Sequence, residues 1–327
     1  MRSLFDGSTS THIMALDPQL ALILKGIQRA GLPAYESIGA QAARALHEKT
    51  APFLDLKPIE IHHVEDVAIP VGNHHVSARL YSPRETSWAE PLPLLIWHHG
   101  GGFTVGSVAS YDALCRMLAQ RADCLVLSVE YRLAPEYKFP TAVDDAFAAL
   151  TWARAQAHRF GMDVDRIAVG GDSAGGTLSA VVALMARDAG IPLALQLLIY
   201  PGTDAHQNTD SHYRYAENHL LERRTILWFF DQYLRSPDDR IDWRFAPLLA
   251  ISHADLAPAW IAVAEYDPLH DEGVAYAHKL EQAGVKVQLK HYAGMVHAFF
   301  NMGGALDQAR AAHTDAVQAL QQAFQRA

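Results

Sequence analysis

The chain has 327 residues, half of them hydrophobic and 19% charged, with a formal net charge of −9. That balance disfavours a phosphate backbone as partner, so no nucleic acid is expected. Two cysteines, Cys115 and Cys124, make no disulfide framework in a chain this long, and no apolar run approaches the roughly 18 residues of a membrane span.

Residues 1–13 lack the apolar core of a signal peptide. Met14 offers a second start, so this stretch reads as an extension or an alternative beginning, and a cytoplasmic location is expected. Asp17-Pro18 joins an N-cap to a proline at the first helical position. Leu20, Ile23, Leu24 and Ile27 then form a helical stripe, closed by Gly31 and Pro33. A second helix is predicted over 34–48, and strands near 59–69, 75–82 and 92–97. Cys115 falls on a predicted helix and Cys124 at a strand start, both as buried small hydrophobes. Strands and helices then alternate: strand 124–130, helix 142–158, strand 167–170, helix 173–187, strand 193–200. This rhythm predicts an α/β fold, a mostly parallel sheet with helices on both faces. Residues 203–243 interrupt it with a helical, aromatic-rich pattern that includes Leu220, Leu221, Leu227, Trp228, Phe230 and Tyr233. Strands resume at 259–264 and 285–292.

The chemistry concentrates in Gly171-Asp172-Ser173-Ala174-Gly175. This G-x-S-x-G sits where the strand 167–170 should turn into a helix. A sharp turn there lifts a serine hydroxyl out of the sheet, and flanking glycines let neighbouring backbone pack close. By itself the pentapeptide also fits an ordinary glycine turn. A second element weighs against that reading: His99-Gly100-Gly101-Gly102-Phe103 follows the apolar run 92–97. Such an H-G-G-G loop supplies backbone N–H donors to a developing oxyanion in lipases and esterases. His99 is expected to orient this loop by hydrogen bonding.

An elbow serine needs a base, and the base needs an orienting carboxylate. In this architecture they follow the serine in the order acid, then histidine. Asp267 lies just past the strand 259–264, on the end of the sheet where α/β folds place ligands. Glu265 and Asp271 compete with it, although Asp271 also fits the first turn of the next helix, where a carboxylate suits the helix dipole. His297 lies on the loop after the strand 285–292, with His270 and His291 as rivals. His62, His63, His74, His75, His206, His212 and His253 read as solvated or structural.

With these residues in place, the chain resembles the bacterial hormone-sensitive-lipase-like esterases, or family IV carboxylesterases, of the GDSAG group. The resemblance runs from about residue 60 to the C-terminus. Besides the two motifs above it includes Tyr131-Arg132-Leu133-Ala134-Pro135-Glu136, Phe139-Pro140 with Asp144-Asp145, Asp267-Pro268-Leu269 with Asp271-Glu272-Gly273, and His297-Ala298-Phe299. It implies an α/β-hydrolase fold with a helical cap, no cofactor and no metal. It further implies oxyanion donors at the N–H groups of Gly101, Gly102 and Ala174, and activity on short- to medium-chain acyl esters. On this reading the cap comprises residues 1–50 and 204–246, and the core comprises 51–203 and 247–327. Ser173, Asp267 and His297 are the expected catalytic residues, and a small-molecule ester is the expected partner. Dimers are common among the proteins resembled, so a homodimer through the strand 285–292 is a further expectation by analogy.

Fold and triad do not choose a substrate. An amidase, a lactonase or a drug-ester hydrolase would use the same residues. A non-catalytic small-molecule receptor on this scaffold is a more remote alternative, disfavoured by the presence of His297. A metalloenzyme is disfavoured because no H-E-x-x-H spacing occurs.

Overall fold

Asp17 opens the first helix as its sequence requires: its carboxylate accepts the N–H groups of Gln19 and Leu20 at 2.8 and 3.2 Å, with Pro18 in the first turn. The structure, a computed structural model, describes residues 15–325, so the expectation for residues 1–13 lies outside the described residues. The helices in chain order are α1 (Pro18–Ala30), α2 (Tyr35–Ile38), α3 (Ala40–Thr50), α4 (Asp112–Ala122), α5 (Thr141–Ala155), α6 (Ala157–Phe160), α7 (Ala174–Asp188), α8 (Asp210–Arg214), α9 (Arg223–Tyr233), α10 (His270–Gln282) and α11 (Asp307–Ala323). The strands are β1 (His63–Val71), β2 (His74–Ser82), β3 (Leu92–His98), β4 (Leu125–Val129), β5 (Met162–Asp172), β6 (Leu195–Ile199), β7 (Ala259–Tyr266) and β8 (Val287–Val296).

The strands form one sheet in the order β1-β2-β4-β3-β5-β6-β7-β8. β2 runs antiparallel to both β1 and β4, and every pairing from β4 to β8 is parallel. β3 is buried at every position, as a central strand covered on both faces must be. Its side chains alternate between two cores. Leu94 and Ile96 join the layer containing α5 and α7, while Leu95 and Trp97 join the layer containing α4 and α11.

Several boundaries differ from the sequence expectation: β5 begins at Met162 rather than 167, and β8 runs on to Val296 rather than ending at 292. The helix expected over 34–48 is two helices, because Gly39 takes φ +78° and ψ 164°, outside the helical region. The helix expected over 142–158 breaks at Gln156, whose backbone leaves the helical region. The first strand begins at His63 rather than near 59. Cys115 on α4 and Cys124 just before β4 are both buried and unpaired with each other. No helix among the described residues is long and apolar enough to cross a membrane.

Candidate active site

The sheet brings the predicted residues together by register. β5 ends at Asp172, and Ser173 follows with φ 54° and ψ −121°, a strained turn from which α7 departs at Ala174. The Ser173 N–H is held by the Ile199 carbonyl of β6 at 2.9 Å. A side chain at Gly175 would run into the His98 carbonyl, so the elbow and the end of β3 can approach only with glycine there. On the other side, Tyr266 of β7 pairs with Val296 of β8. The next residue of each strand is Asp267 and His297, and their placement follows directly from that pairing.

The three side chains form one hydrogen-bonded chain. Ser173 Oγ lies 2.8 Å from His297 Nε2, and His297 Nδ1 lies 2.7 Å from Asp267 Oδ2. Asp267 is fully buried, and its second oxygen accepts the Leu269 N–H at 2.8 Å. The Tyr200 ring packs against the His297 ring with centroids 4.5 Å apart. With the carboxylate fixing a proton on Nδ1, Nε2 is left to accept from the serine hydroxyl.

The loop after β3 faces the elbow. Gly102 has φ +57°, and a side chain there would overlap the Phe229 ring of α9. Within the described residues, the N–H groups of Gly101, Gly102 and Ala174 make no backbone hydrogen bond outside regular elements. His99 sits behind the loop, buried, its ring stacked on Tyr131 at 4.3 Å and its Nδ1 2.8 Å from the Gly100 carbonyl oxygen. Burial holds its pKa below the usual histidine range, which fits a neutral orienting group.

The rival residues are elsewhere. His270 Nδ1 lies 2.9 Å from Asp271 Oδ1, and His291 neighbours His270 with rings 5.5 Å apart. Asp271 Oδ2 accepts the Ser211 N–H at 2.9 Å, and Glu265 accepts the Gly294 N–H at 2.7 Å. His212 and His253 are buried and structural: His212 faces Glu272 at 3.2 Å, and His253 Nε2 lies 2.9 Å from the Pro247 carbonyl oxygen.

Above Ser173 lies a cavity of about 60 Å³, walled by Gly102, Leu221, Ile226, Phe229, Phe230 and Phe245 among others. Leu221 and Phe230 belong to the aromatic-rich stretch singled out in the sequence. Ile226 and Phe229 lie in the same stretch but are not among its singled-out residues, although Ile226, Phe229, Phe230 and Tyr233 follow the i, i+3, i+4, i+7 spacing of a helical stripe. Tyr233 stacks on Phe103 of the glycine loop, with centroids 4.1 Å apart and planes 7° from parallel. Asn301, whose Nδ2 donates to Asp172 Oδ2, falls in none of the sequence motifs.

A mostly parallel sheet with a serine elbow after β5, an acid after β7 and a histidine after β8 defines an α/β hydrolase, and a model of the alpha/beta hydrolase fold matches residues 95–301. Ethyl acetate hydrolase of Pseudomonas putida is 42% identical, covering 94% of this chain and 99% of its own length. The carboxylic ester hydrolase LipN of Mycobacterium tuberculosis is 44% identical over 91% of this chain and 79% of its own. Among solved structures, a hyperthermophilic esterase of the archaeon Pyrobaculum calidifontis superposes with a TM-score of 0.89 at 38% identity, covering 94% of this chain and 99% of that one. The chain therefore belongs to the hormone-sensitive-lipase-like, family IV carboxylesterases, and it is an enzyme of the carboxylic ester hydrolase class.

Proposed function

We propose that the chain hydrolyses short- to medium-chain acyl esters through Ser173, His297 and Asp267, by way of an acyl-enzyme. The observation that carries this is the unbroken hydrogen-bonded chain from Ser173 Oγ through His297 to Asp267, with Ser173 lining a mostly apolar cavity. Ser173 Oγ attacks the carbonyl carbon while its proton passes to His297 Nε2. The imidazolium, held by Asp267, gives that proton to the departing alcohol oxygen as the C–O bond breaks. Water then repeats the sequence on the acyl-enzyme, releasing the acid and restoring the serine.

Negative charge on the carbonyl oxygen would be met by the N–H groups of Gly101, Gly102 and Ala174. Each such donor is worth about 3–4 kcal/mol of transition-state stabilisation. The cap, on this reading, is formed by the N-terminal helices and residues 204–246, since α9 sets Phe229 directly over Gly102. The cavity volume of about 60 Å³ favours a short acyl group.

The test is an activated phosphonate together with a panel of p-nitrophenyl esters of rising acyl length and a matched p-nitroanilide. Stoichiometric modification of Ser173 and preference for short esters over the anilide are expected. Modification elsewhere would overturn the nucleophile assignment, and faster cleavage of the anilide would make the protein an amidase on the same residues.

A further inference from the structure

Gln207 lines the cavity above Ser173, yet it is only 2% exposed and neither its Oε1 nor its Nε2 has a hydrogen-bond partner among the described residues. Leaving a buried polar group unpaired costs roughly 1–3 kcal/mol. The other polar groups on the same wall are engaged. Thr177 Oγ1 donates to the Gly202 carbonyl at 2.6 Å. Glu272 Oε1 accepts the Thr203 N–H at 2.7 Å, and Asp204 Oδ1 accepts the Ala205 N–H at 2.7 Å.

The backbone holds this amide deliberately. Gln207 has φ +54°, a left-handed conformation that costs a non-glycine residue about 1 kcal/mol or more. The loop that carries it is pinned where it leaves β6: Thr203 Oγ1 donates to the Glu272 carbonyl at 2.7 Å, and the Glu272 carboxylate faces buried His212. A strained, unpaired amide on a pinned loop is what a recognition group looks like before its ligand arrives.

The cavity also has a direction. Its walls include Ser173, Ala174 and Gly102 but not His297. The leaving alcohol must lie beside His297 Nε2, because that atom protonates it. The cavity therefore receives the acyl side of the ester.

We infer that Gln207 determines acyl specificity, by hydrogen bonding a neutral polar group, a hydroxyl foremost, on a short acyl chain. The inference rests on the esterase reading above. An amide offers both a donor and an acceptor, and a hydroxyl answers either. A carboxylate on the acyl chain would instead face Glu272 and Asp204 on the same wall. A plain hydrocarbon would leave the amide unpaired, and sites built to bond a substrate hydroxyl reject analogues that lack it.

The experiment compares kcat/KM for p-nitrophenyl butyrate with that for its 2-hydroxy and 3-hydroxy analogues, in the native enzyme and in Gln207→Met. The intrinsic reactivities of the esters cancel when the two enzymes are compared. The preference for the better hydroxy ester should fall about tenfold in Gln207→Met, as the hydroxy ester loses its partner and butyrate no longer faces an unpaired amide. Its melting temperature should stay level or rise, because the amide gives up no partner. Gln207→Asn, a shorter amide, should keep part of the preference. Unchanged ratios in both variants, with butyrate still cleaved, would overturn this inference alone. A marked drop in melting temperature in Gln207→Met would also overturn it, by showing that the amide is structural. Failure of the native enzyme on all three esters would overturn the esterase reading and this inference with it.

Discussion

Asn301 Nδ2 donates to Asp172 Oδ2 at 3.0 Å, tying the segment after His297 to the residue before Ser173. The same buried carboxylate accepts the Gly100 N–H at 2.9 Å and the Tyr111 hydroxyl at 2.9 Å. Asp172 thus binds together the elbow, the glycine loop and the histidine loop, none of which is covalently close to another. Burial raises its pKa, while the hydrogen bonds from Asn301 and Tyr111 pull the other way.

Replacing Asn301 with Ala removes one of the bonds that keep this carboxylate satisfied. Hydrogen bonds to charged groups contribute about 1.5–3 kcal/mol, and stability should fall by that order. Turnover should drop about tenfold with KM nearly unchanged, because the substrate is not touched but His297 and the glycine loop lose their common anchor. Urea unfolding and steady-state kinetics check both halves. Native-like values for each would show that Asp172 is held well enough by Tyr111 and Gly100.

The difference between Ser173 and Asn301 explains what could be read from the sequence. Ser173, the glycine loop, Asp267 and His297 each sit at the end of a predictable strand, in short motifs that their chemistry dictates. Asn301 acts through a partner 129 residues away, and no local pattern encodes that pairing. Gln207 is similar, since its meaning depends on what fails to reach it. The helix α11 is illegible in the sequence for another reason. Its buried face is largely Ala309, Ala312, Ala316 and Ala319, which contrast little in hydropathy with their neighbours. The break at Gly39 depends on a backbone conformation that a glycine permits but does not announce.

Asp267→Asn should be far more damaging than Asp271→Asn. An amide in place of the buried carboxylate favours the wrong histidine tautomer, at a cost of about 10⁴ in turnover. Asp271 instead pairs with His270 and the Ser211 N–H, outside the hydrogen-bonded chain. Its variant should lose little activity. Comparable losses, measured as kcat on a short p-nitrophenyl ester, would mean that the orienting acid has been misassigned.

His313 makes stability depend on pH. It is buried, with Nε2 2.7 Å from the Phe300 carbonyl oxygen, and burial lowers its pKa to about 4. The unfolded chain binds a proton at this residue below about 6.5, and the native chain refuses it until about 4. Stability from this group is therefore complete above pH 6.5 and is lost as pH falls toward 4, by about 3 kcal/mol in all. His98, lowered to about 3 by burial, pulls the same way. Urea unfolding at pH 7.5, 6 and 5 should show the decline. In His313→Gln the slope should flatten, and an identical slope in native and variant would place the effect at other groups.

Arg44 links α3 to the glycine loop. Its Nε donates to the Thr104 carbonyl at 2.8 Å, and its Nη2 donates to the Ala134 carbonyl and to Glu136, each at 2.5 Å. The guanidinium thereby joins the N-terminal helices to the backbone just past Gly102 and to the segment after Tyr131. Removing it leaves two carbonyl groups without their donor and frees α3 to shift. Arg44→Ala should cost about 1–3 kcal/mol in stability and raise KM more than it lowers kcat. Arg44→Lys should recover only part of this, because an ammonium cannot reproduce the fork that spans three acceptors. If the helices before Thr50 close the cavity, as proposed, the alanine variant should also discriminate less between short and long acyl esters. Phe229→Ala, which opens the cavity from the α9 side, should do the same. An acyl-length profile that stays sharp in both variants would mean that these residues brace the loop without shaping the pocket.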